Sequence, residues 1–188
     1  MATVADYAYR RLQTTPPRID FLTKMISKKE DGLSLPQLQA QANLLTVAGS
    51  ETTATALSGI TYYLCRNDNA YQKLAREVRE TFESYDQING RSTDPLPYLK
   101  AVIDEGLRLY PPVPIGLPRI SPGETVDGHY IPQGAIVYTS SWAATHSEEN
   151  FHHALEFRPE RWIDANCQDK KQASQPFSLG SRACLGRK

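Results

Sequence analysis

Apolar positions recur at helical spacing over a long segment that begins near Ser34 and ends at about Arg66. Ser34 lies three residues before Gln37, which is the spacing of a capping box. Two shorter helical patterns follow at roughly 70–85 and 96–110, and the second ends at "PPVP" because proline cannot continue a helix. The apolar face predicted for this third helix consists of Leu99, Val102, Ile103 and Tyr110.

The pattern changes after the third helix. Asp127-Gly128 is a hairpin turn signal between alternating segments, and residues 136–139 are predicted to form a strand. A short helix is predicted at about 142–145, and most of the chain from Ser147 onward is predicted to be irregular. Helices followed by a small β region indicate an α+β fold that is mostly α.

Composition narrows the class of protein. The chain has 188 residues, of which 40% are hydrophobic, and its 21 basic residues equal its 21 acidic residues in number. The absence of a basic excess argues against a nucleic-acid-binding protein. No apolar run approaches the ~20 residues of a membrane span, and the first residues are not typical of a signal peptide or an anchor. Three cysteines without a CxxC pair argue against a disulfide framework or a zinc ribbon and favour a reducing compartment.

The closing stretch, "FSLGSRACLGRK", is the first candidate for chemistry. Gly180 and Gly186 allow backbone angles that other residues resist, so the loop could lie close to a flat ligand. Arg182 places a cation near Cys184 and favours its thiolate form, which is a good ligand for a soft or borderline metal. The alternative is a free cysteine in a turn, but five specified residues at fixed offsets, starting at Phe177, favour the ligand.

The second candidate lies in the middle of the long helix, at "AGSETTAT". Gly49 costs about 1 kcal/mol relative to alanine in a helix interior, and the hydroxyl side chains there compete for backbone hydrogen bonds. A glycine lets a bulky group lie against the backbone, and Glu51 with Thr52 could relay protons beside it. A polar kink without chemistry is the alternative.

Two further stretches are ambiguous on their own. Glu105 and Arg108 are three residues apart and therefore neighbours on a helix surface, where an exposed pair contributes only ~0.2–0.5 kcal/mol. Arg161 in "FRPERW" could stack on an aromatic ring or pair with a carboxylate through two hydrogen bonds. His152-His153 is predicted to be a surface pair, because it lacks the spacing of a metal site.

Taken together and in this order, the four stretches resemble the C-terminal half of the cytochrome P450 family, the haem-thiolate monooxygenases. Residues 177–186 match F-x-x-G-x-R-x-C-x-G at every specified position, and residues 48–53 match the A/G-G-x-D/E-T-T/S motif of the long distal helix. The resemblance extends from about Pro17 to the end of the chain. It implies a partial P450 fold with a distal helix, an E-x-x-R helix, a small β region and a haem-binding cysteine loop.

The resemblance also implies roles for particular residues. Cys184 corresponds to the axial thiolate ligand of the haem iron, and Thr52 with Glu51 to the oxygen-activating alcohol–acid pair. The residues implied to form a buried structural network are Glu105, Arg108 and Arg161. The residues implied to contact the haem are Phe177, Gly180, Arg182, Gly186, Arg119 and Gly49. The residues implied to line the substrate pocket, in a stretch that resembles a strand, are Val113, Ile115 and Leu117.

The implied reaction inserts one atom of O2 into a small lipophilic substrate. Its electrons come ultimately from NADPH through a reductase, which is the implied protein partner; no nucleic acid is involved. The motifs are most similar to fungal members of secondary metabolism. Relatives are bound to the endoplasmic-reticulum membrane, whereas this chain carries no anchor and is predicted to be cytosolic.

The family interpretation treats residues 1–188 as one partial domain. Its predicted parts are a lead-in helix or loop at 1–33, the oxygen-activating helix at 34–66, two helices at 67–110, the small β region at 111–146, and coil with the ligand loop at 147–188. Family members are more than twice as long, so we expect a truncation at both ends. The alternative hypotheses are a truncated or incomplete gene product that does not bind haem stably, and an unrelated thiol or zinc protein.

Overall fold

The computed structural model describes residues 10–11, 13–14, 23 and 34–187. The lead-in predicted for residues 1–33 therefore lies almost entirely outside the described residues. The chain divides into two compact units, one ending at Thr53 and one beginning at Ala54, and this boundary falls within the longest helix.

Helix α1, Leu35–Arg66, agrees with the predicted segment to within one residue. The backbone N–H of Ser34 donates to the Gln37 carboxamide oxygen at 2.8 Å, as the capping-box spacing predicted. Hydroxyl groups in and just before "AGSETTAT" do not interrupt the helix, because four of them bond within it. Side chains that donate to the carbonyl four residues earlier are Thr46, Ser50, Thr52 and Thr53.

Three helices follow α1: α2 is Asp68–Thr81, α3 is Gly90–Thr93 and α4 is Pro97–Leu109. The end of α2 comes four residues before the predicted end, because Phe82 is extended and its N–H closes the last turn on Val78. The Glu77 carboxylate of α2 accepts the Tyr98 and Leu99 N–H groups, both at 2.8 Å. These two N–H groups lie in the first turn of α4, where helix donors lack partners within the helix.

Helix α4 packs into the core of the second unit. That core consists of Ala70, Tyr98, Val102, Leu109 and Phe157, with Ile60, Tyr63, Leu64 and Leu74 packed against it. The contact is close because Gly106 has no side chain: a Cβ there would lie 2.2 Å from Cγ1 of Ile60. Tyr63 and Phe157 stack with ring centroids 5.3 Å apart.

The apolar face predicted for α4 is wrong in part. Val102 is buried, but Ile103 and Tyr110 are 39% and 50% exposed. The buried face of α4 instead carries Glu105 and Arg108, both 0% exposed. A pattern of apolar positions misplaces this face because charged side chains can be buried when they are paired.

Two small antiparallel sheets form the β region. Strand β1, Arg119–Ile120, pairs with β4, Ile136–Val137, which is shorter than the predicted 136–139. Strand β2, Glu124–Val126, pairs with β3, His129–Ile131, through the predicted turn at Asp127-Gly128.

The stretch 113–117 is not a strand, contrary to the resemblance. Neighbouring prolines have no N–H to donate to a sheet. Gly116, with φ of +69°, donates instead to the Val113 carbonyl at 3.3 Å within a turn.

The remaining helices are short: α5 is Ser141–Thr145 and α6 is Glu160–Ile163. The rest of the chain beyond α5 is mostly irregular, as predicted, with single 3₁₀ turns at Lys171–Ala173, Gly180–Arg182 and Leu185–Arg187. The fold is therefore α+β and mostly helical. None of the helices in the described part of the chain combines the length and apolar character that a membrane crossing requires.

Candidate functional site

The closing loop is held by one hydrogen bond across its base. The Cys184 N–H donates to the Phe177 carbonyl at 2.7 Å, and the Ala183 N–H donates to Gly180 at 3.1 Å. Gly180 has φ of +66°, a conformation that favours glycine, and Ser178 adopts a similar one at +58°. The loop thereby presents Cys184 as an exposed free thiol.

Gly186 differs from Gly180. Its backbone does not lie in the left-handed region, so the conformational freedom that glycine allows is not used there. A Cβ at Gly186 would instead lie 3.8 Å from the Cys184 sulfur. Glycine therefore keeps open the space beside the thiol.

The other residues implied to contact haem or substrate are exposed. Arg182 lies in the 3₁₀ turn before Cys184. Arg119 donates from Nη1 to the carbonyls of Pro118 at 2.9 Å and Leu117 at 3.3 Å. The apolar side chains exposed in the loop and the implied pocket stretch are Val113, Ile115, Leu117, Phe177, Leu179 and Leu185.

Glu51 and Thr52 lie in the part of α1 that belongs to the first unit. The Thr52 hydroxyl donates to the Ala48 carbonyl at 2.7 Å, and the Glu51 side chain is exposed. A Cβ at Gly49 would meet no atom within 4 Å, so the helix surface there is open. Such a surface can accept a bulky group.

The structure brings Glu105, Arg108 and Arg161 together. Arg108 donates from Nε to Glu105 Oε2 at 2.8 Å and from Nη2 to Oε1 at 2.9 Å. Arg161 donates from Nε to the same Oε1 at 3.0 Å. When Glu105 and Arg108 are considered without the other motifs, they are predicted to form an exposed pair. That prediction is wrong, because both are fully buried.

This cluster joins α4 to the irregular segment that follows α5. Glu105 also accepts the Trp162 indole N–H at 2.9 Å and the Arg158 backbone N–H at 2.8 Å. Arg108 Nη1 donates to the carbonyls of Thr145 and Ala154, both at 2.7 Å. The segment is thus fixed by its backbone groups, which explains how it can be ordered without regular structure.

Sequence reasoning missed Asp169. Its carboxylate pairs with Arg161 Nη1 and accepts the His152 N–H at 2.8 Å. Burial would raise the pKa of Asp169, but the hydrogen bonds from His152 and Arg161 hold it below the usual aspartate value. No spacing rule points to this residue, because it lies in a polar coil eight positions after Arg161.

Two glutamates were also missed. Glu148 accepts the N–H groups of His153 at 2.9 Å and Ala154 at 3.0 Å. Glu160 accepts the Tyr98 hydroxyl at 2.9 Å and the Lys73 ammonium at 2.7 Å. Both stabilise the irregular segment through these contacts. Of the two, only Glu160 lies in a sequence motif, "PERW".

The His152 and His153 side chains are exposed, and their ring centroids lie 4.1 Å apart. Among the residues that the structure describes, no group of three or more His, Cys, Asp or Glu side chains could hold a metal ion. The pair therefore contributes no metal site within that part of the chain.

Comparison with known proteins identifies the class. The family model for Cytochrome P450 matches residues 3–188. The chain is 47% identical over 180 residues to "Cytochrome P450 monooxygenase ORF11" of Penicillium roqueforti (strain FM164), covering 95% of this chain and 38% of that protein. It is 44% identical over 179 residues to "Cytochrome P450 monooxygenase BOT4" of Botryotinia fuckeliana, covering 95% and 34%.

The chain belongs to the cytochrome P450 family. A third relative, "Cytochrome P450 monooxygenase poxC" of Penicillium oxalicum (strain 114-2 / CGMCC 5302), is 46% identical over 182 residues and is covered to 38%. The chain thus spans between a third and two fifths of the length of these curated relatives. All three come from fungi and are named as monooxygenases, as the motifs predicted.

The cofactor of this family is haem, and the residues present fit it. Cys184 offers a free exposed thiol, and Gly186 leaves the space beside the sulfur clear. Exposed apolar side chains at Phe177 and Leu179 suit the face of a porphyrin, and Arg182 suits its carboxylates. This donor set is that of a thiolate-ligated iron.

Proposed function

We propose that this chain supplies the haem-ligand loop and the oxygen-activating helix of a monooxygenase, which inserts one atom of O2 into a small lipophilic substrate. The observation that carries the proposal is the exposed thiol of Cys184, presented by a loop that its own N–H closes on Phe177. The names of the relatives support the reaction class.

Haem would be held by residues of the closing loop. Cys184 Sγ is the proposed ligand of the haem iron, and Phe177, Gly180 and Gly186 are the proposed contacts beside it. Arg182 and Arg119 are the proposed partners of the haem carboxylates, because both guanidinium groups are exposed. Thiolate-ligated haem, when bound, supplies the chemistry that favours cleavage of the O–O bond.

Thr52 and Glu51 are proposed to deliver protons. The Thr52 hydroxyl donates its hydrogen to the Ala48 carbonyl, so its oxygen retains lone pairs for a further hydrogen bond. Rotation of the hydroxyl can exchange the Ala48 bond for one to a ligand. Exposed Glu51 can take up protons from water and pass them to this position.

The substrate and partner follow from surface chemistry and family. Val113, Ile115 and Leu117 expose apolar side chains, which favour a lipophilic substrate. Electrons would come from an NADPH-dependent reductase. The chain spans between a third and two fifths of the length of the curated relatives, so the whole reaction is proposed for the full-length fold.

Hemin titration tests the proposal. The purified chain should take up one hemin per chain, and Cys184→Ser should lose the spectrum of thiolate ligation. Cys65→Ser is the matched control, because Cys65 is also an exposed free cysteine but lies in α1. If no saturable uptake occurs, the alternative of a chain without catalysis is favoured. If Cys65→Ser and Cys184→Ser behave alike, Cys184 is not the ligand.

A further inference from the structure

The three buried residues of the family motifs do not balance in charge. Glu105 and Arg108 have side chains that are 0% exposed and Arg161 one that is 2% exposed, so two cations face one carboxylate. A buried charge without a partner is strongly destabilising. Asp169, whose side chain is 5% exposed, pairs with Arg161 Nη1 and makes the cluster neutral.

Asp169 also lies among the last residues that hydrogen-bond to earlier segments before the chain continues toward Cys184. Its carboxylate accepts the His152 N–H at 2.8 Å, and the next residue, Lys170, donates its N–H to Asn150 at 2.7 Å. Lys171 adds a longer bond, 3.5 Å, from Nζ to the Trp162 carbonyl.

Beyond this point the described residues, 174–187, are tied by hydrogen bonds only to the same end of the chain. Within the described residues, hydrogen bonds of residues 174–187 run to partners within 171–187. Examples are Ser178 to Gln175 and Cys184 to Phe177. The direction in which the ligand loop departs is therefore set where Asp169 and Lys170 are attached.

We propose that Asp169 is a positioning residue for Cys184: it completes the neutral buried cluster with Arg161 and anchors the segment that carries the ligand loop. Its expected effect on haem rests on the proposed function above. Its effect on the loop does not, because the anchoring contacts are made by the chain alone.

The first test needs no haem. In Asp169→Asn the side chain keeps its size and one oxygen but loses its charge. Hydrogen–deuterium exchange followed by mass spectrometry should show exchange in peptides covering 170–184 that is faster by about tenfold, while exchange in peptides covering α4 should change much less. Asp127→Asn is the control, because Asp127 is an exposed aspartate in the β2–β3 turn. Asp169→Glu, which retains the charge, should recover much of the protection.

Two results of this test would overturn the proposal. One is equal exchange of 170–184 in the parent chain and Asp169→Asn. The other is loss of the helical circular-dichroism signal with faster exchange throughout, since Asp169 would then support the whole fold rather than the loop.

The second test uses hemin. Asp169→Asn should raise the hemin dissociation constant by about tenfold and weaken the thiolate spectrum, with recovery in Asp169→Glu. An unchanged affinity and spectrum would contradict a role toward Cys184. If the parent chain takes up no hemin but Asp169→Asn still loosens 170–184, the proposed function fails for this chain while the anchoring role stands.

Discussion

Replacing Glu105 with glutamine tests the buried cluster most severely. The Glu105 carboxylate accepts five hydrogen bonds: three at Oε1, from Arg108, Arg158 and Arg161, and two at Oε2, from Arg108 and Trp162. The glutamine in Glu105→Gln has one oxygen and one NH2 group. Even in its better orientation the NH2 group faces two donors.

The magnitude follows from these contacts. A hydrogen bond to a charged group contributes about 1.5–3 kcal/mol, and two are lost while two arginines keep their buried charges. Removal of one partner of a buried ion pair costs about 3–5 kcal/mol. We therefore expect Glu105→Gln to lower the free energy of unfolding by about 3–5 kcal/mol, a large share of the ~5–15 kcal/mol typical of a folded protein.

Urea unfolding followed by far-ultraviolet circular dichroism measures this change. Glu80→Gln is the control, because Glu80 lies on the exposed side of α2. The control should change the free energy of unfolding by less than about 0.5 kcal/mol. A change that small in Glu105→Gln as well would refute the reasoning that the cluster stabilises the fold.

Three further predictions can be checked on the same protein. Gly106→Ala should destabilise the fold by about 1–3 kcal/mol, because its Cβ would overlap Ile60. Gly49→Ala, whose Cβ meets open space, should stabilise it by up to about 1 kcal/mol. Changes of the same sign in the free energy of unfolding of the two variants would contradict the packing. The pKa of Asp169 is lowered, so its contribution to stability is complete above the ordinary aspartate pKa of about 4 and is lost as pH falls through the lower folded value. The urea concentration at the unfolding midpoint should therefore decrease when the pH is lowered below about 4, and it should decrease less steeply in Asp169→Asn. Identical pH profiles would count against the Asp169–Arg161 pair. In a haem-loaded, reductase-coupled preparation, Thr52→Ala should consume more NADPH per product, and an unchanged ratio would argue against proton delivery by its hydroxyl.

The long helices α1, α2 and α4 were largely predictable because their apolar periods and end signals are local, whereas the single-turn helices α3 and α6 were not predicted. Ser34 with Gln37 marks the start of α1, and proline marks the end of α4. The end of α2 was not predictable in this way, because "FESYD" contains no breaker and the helix ends where Phe82 becomes extended. The stretch 113–117 shows the reverse case, in which Pro114 and the flanking prolines argue against the strand that the resemblance implied.

Only those residues of the site that belong to a sequence motif could be predicted. The spacing around Cys184 identifies the loop, and the structure adds that Gly180 provides the turn and Gly186 provides space. The contacts of Asp169 and Glu148 could not be predicted, because they join residues of the irregular segment through backbone N–H groups. Such partners depend on how the coil folds back, which no local pattern records.

The reduced, carbon-monoxide-bound spectrum of the hemin-loaded chain tests the central claim most directly. If Cys184 is the axial thiolate, the parent chain should show the strongly red-shifted Soret band of thiolate-ligated haem, and Cys184→Ser should lose it while Cys65→Ser keeps it. A parent chain that binds hemin but shows the Soret band of haem without a thiolate ligand would contradict the account.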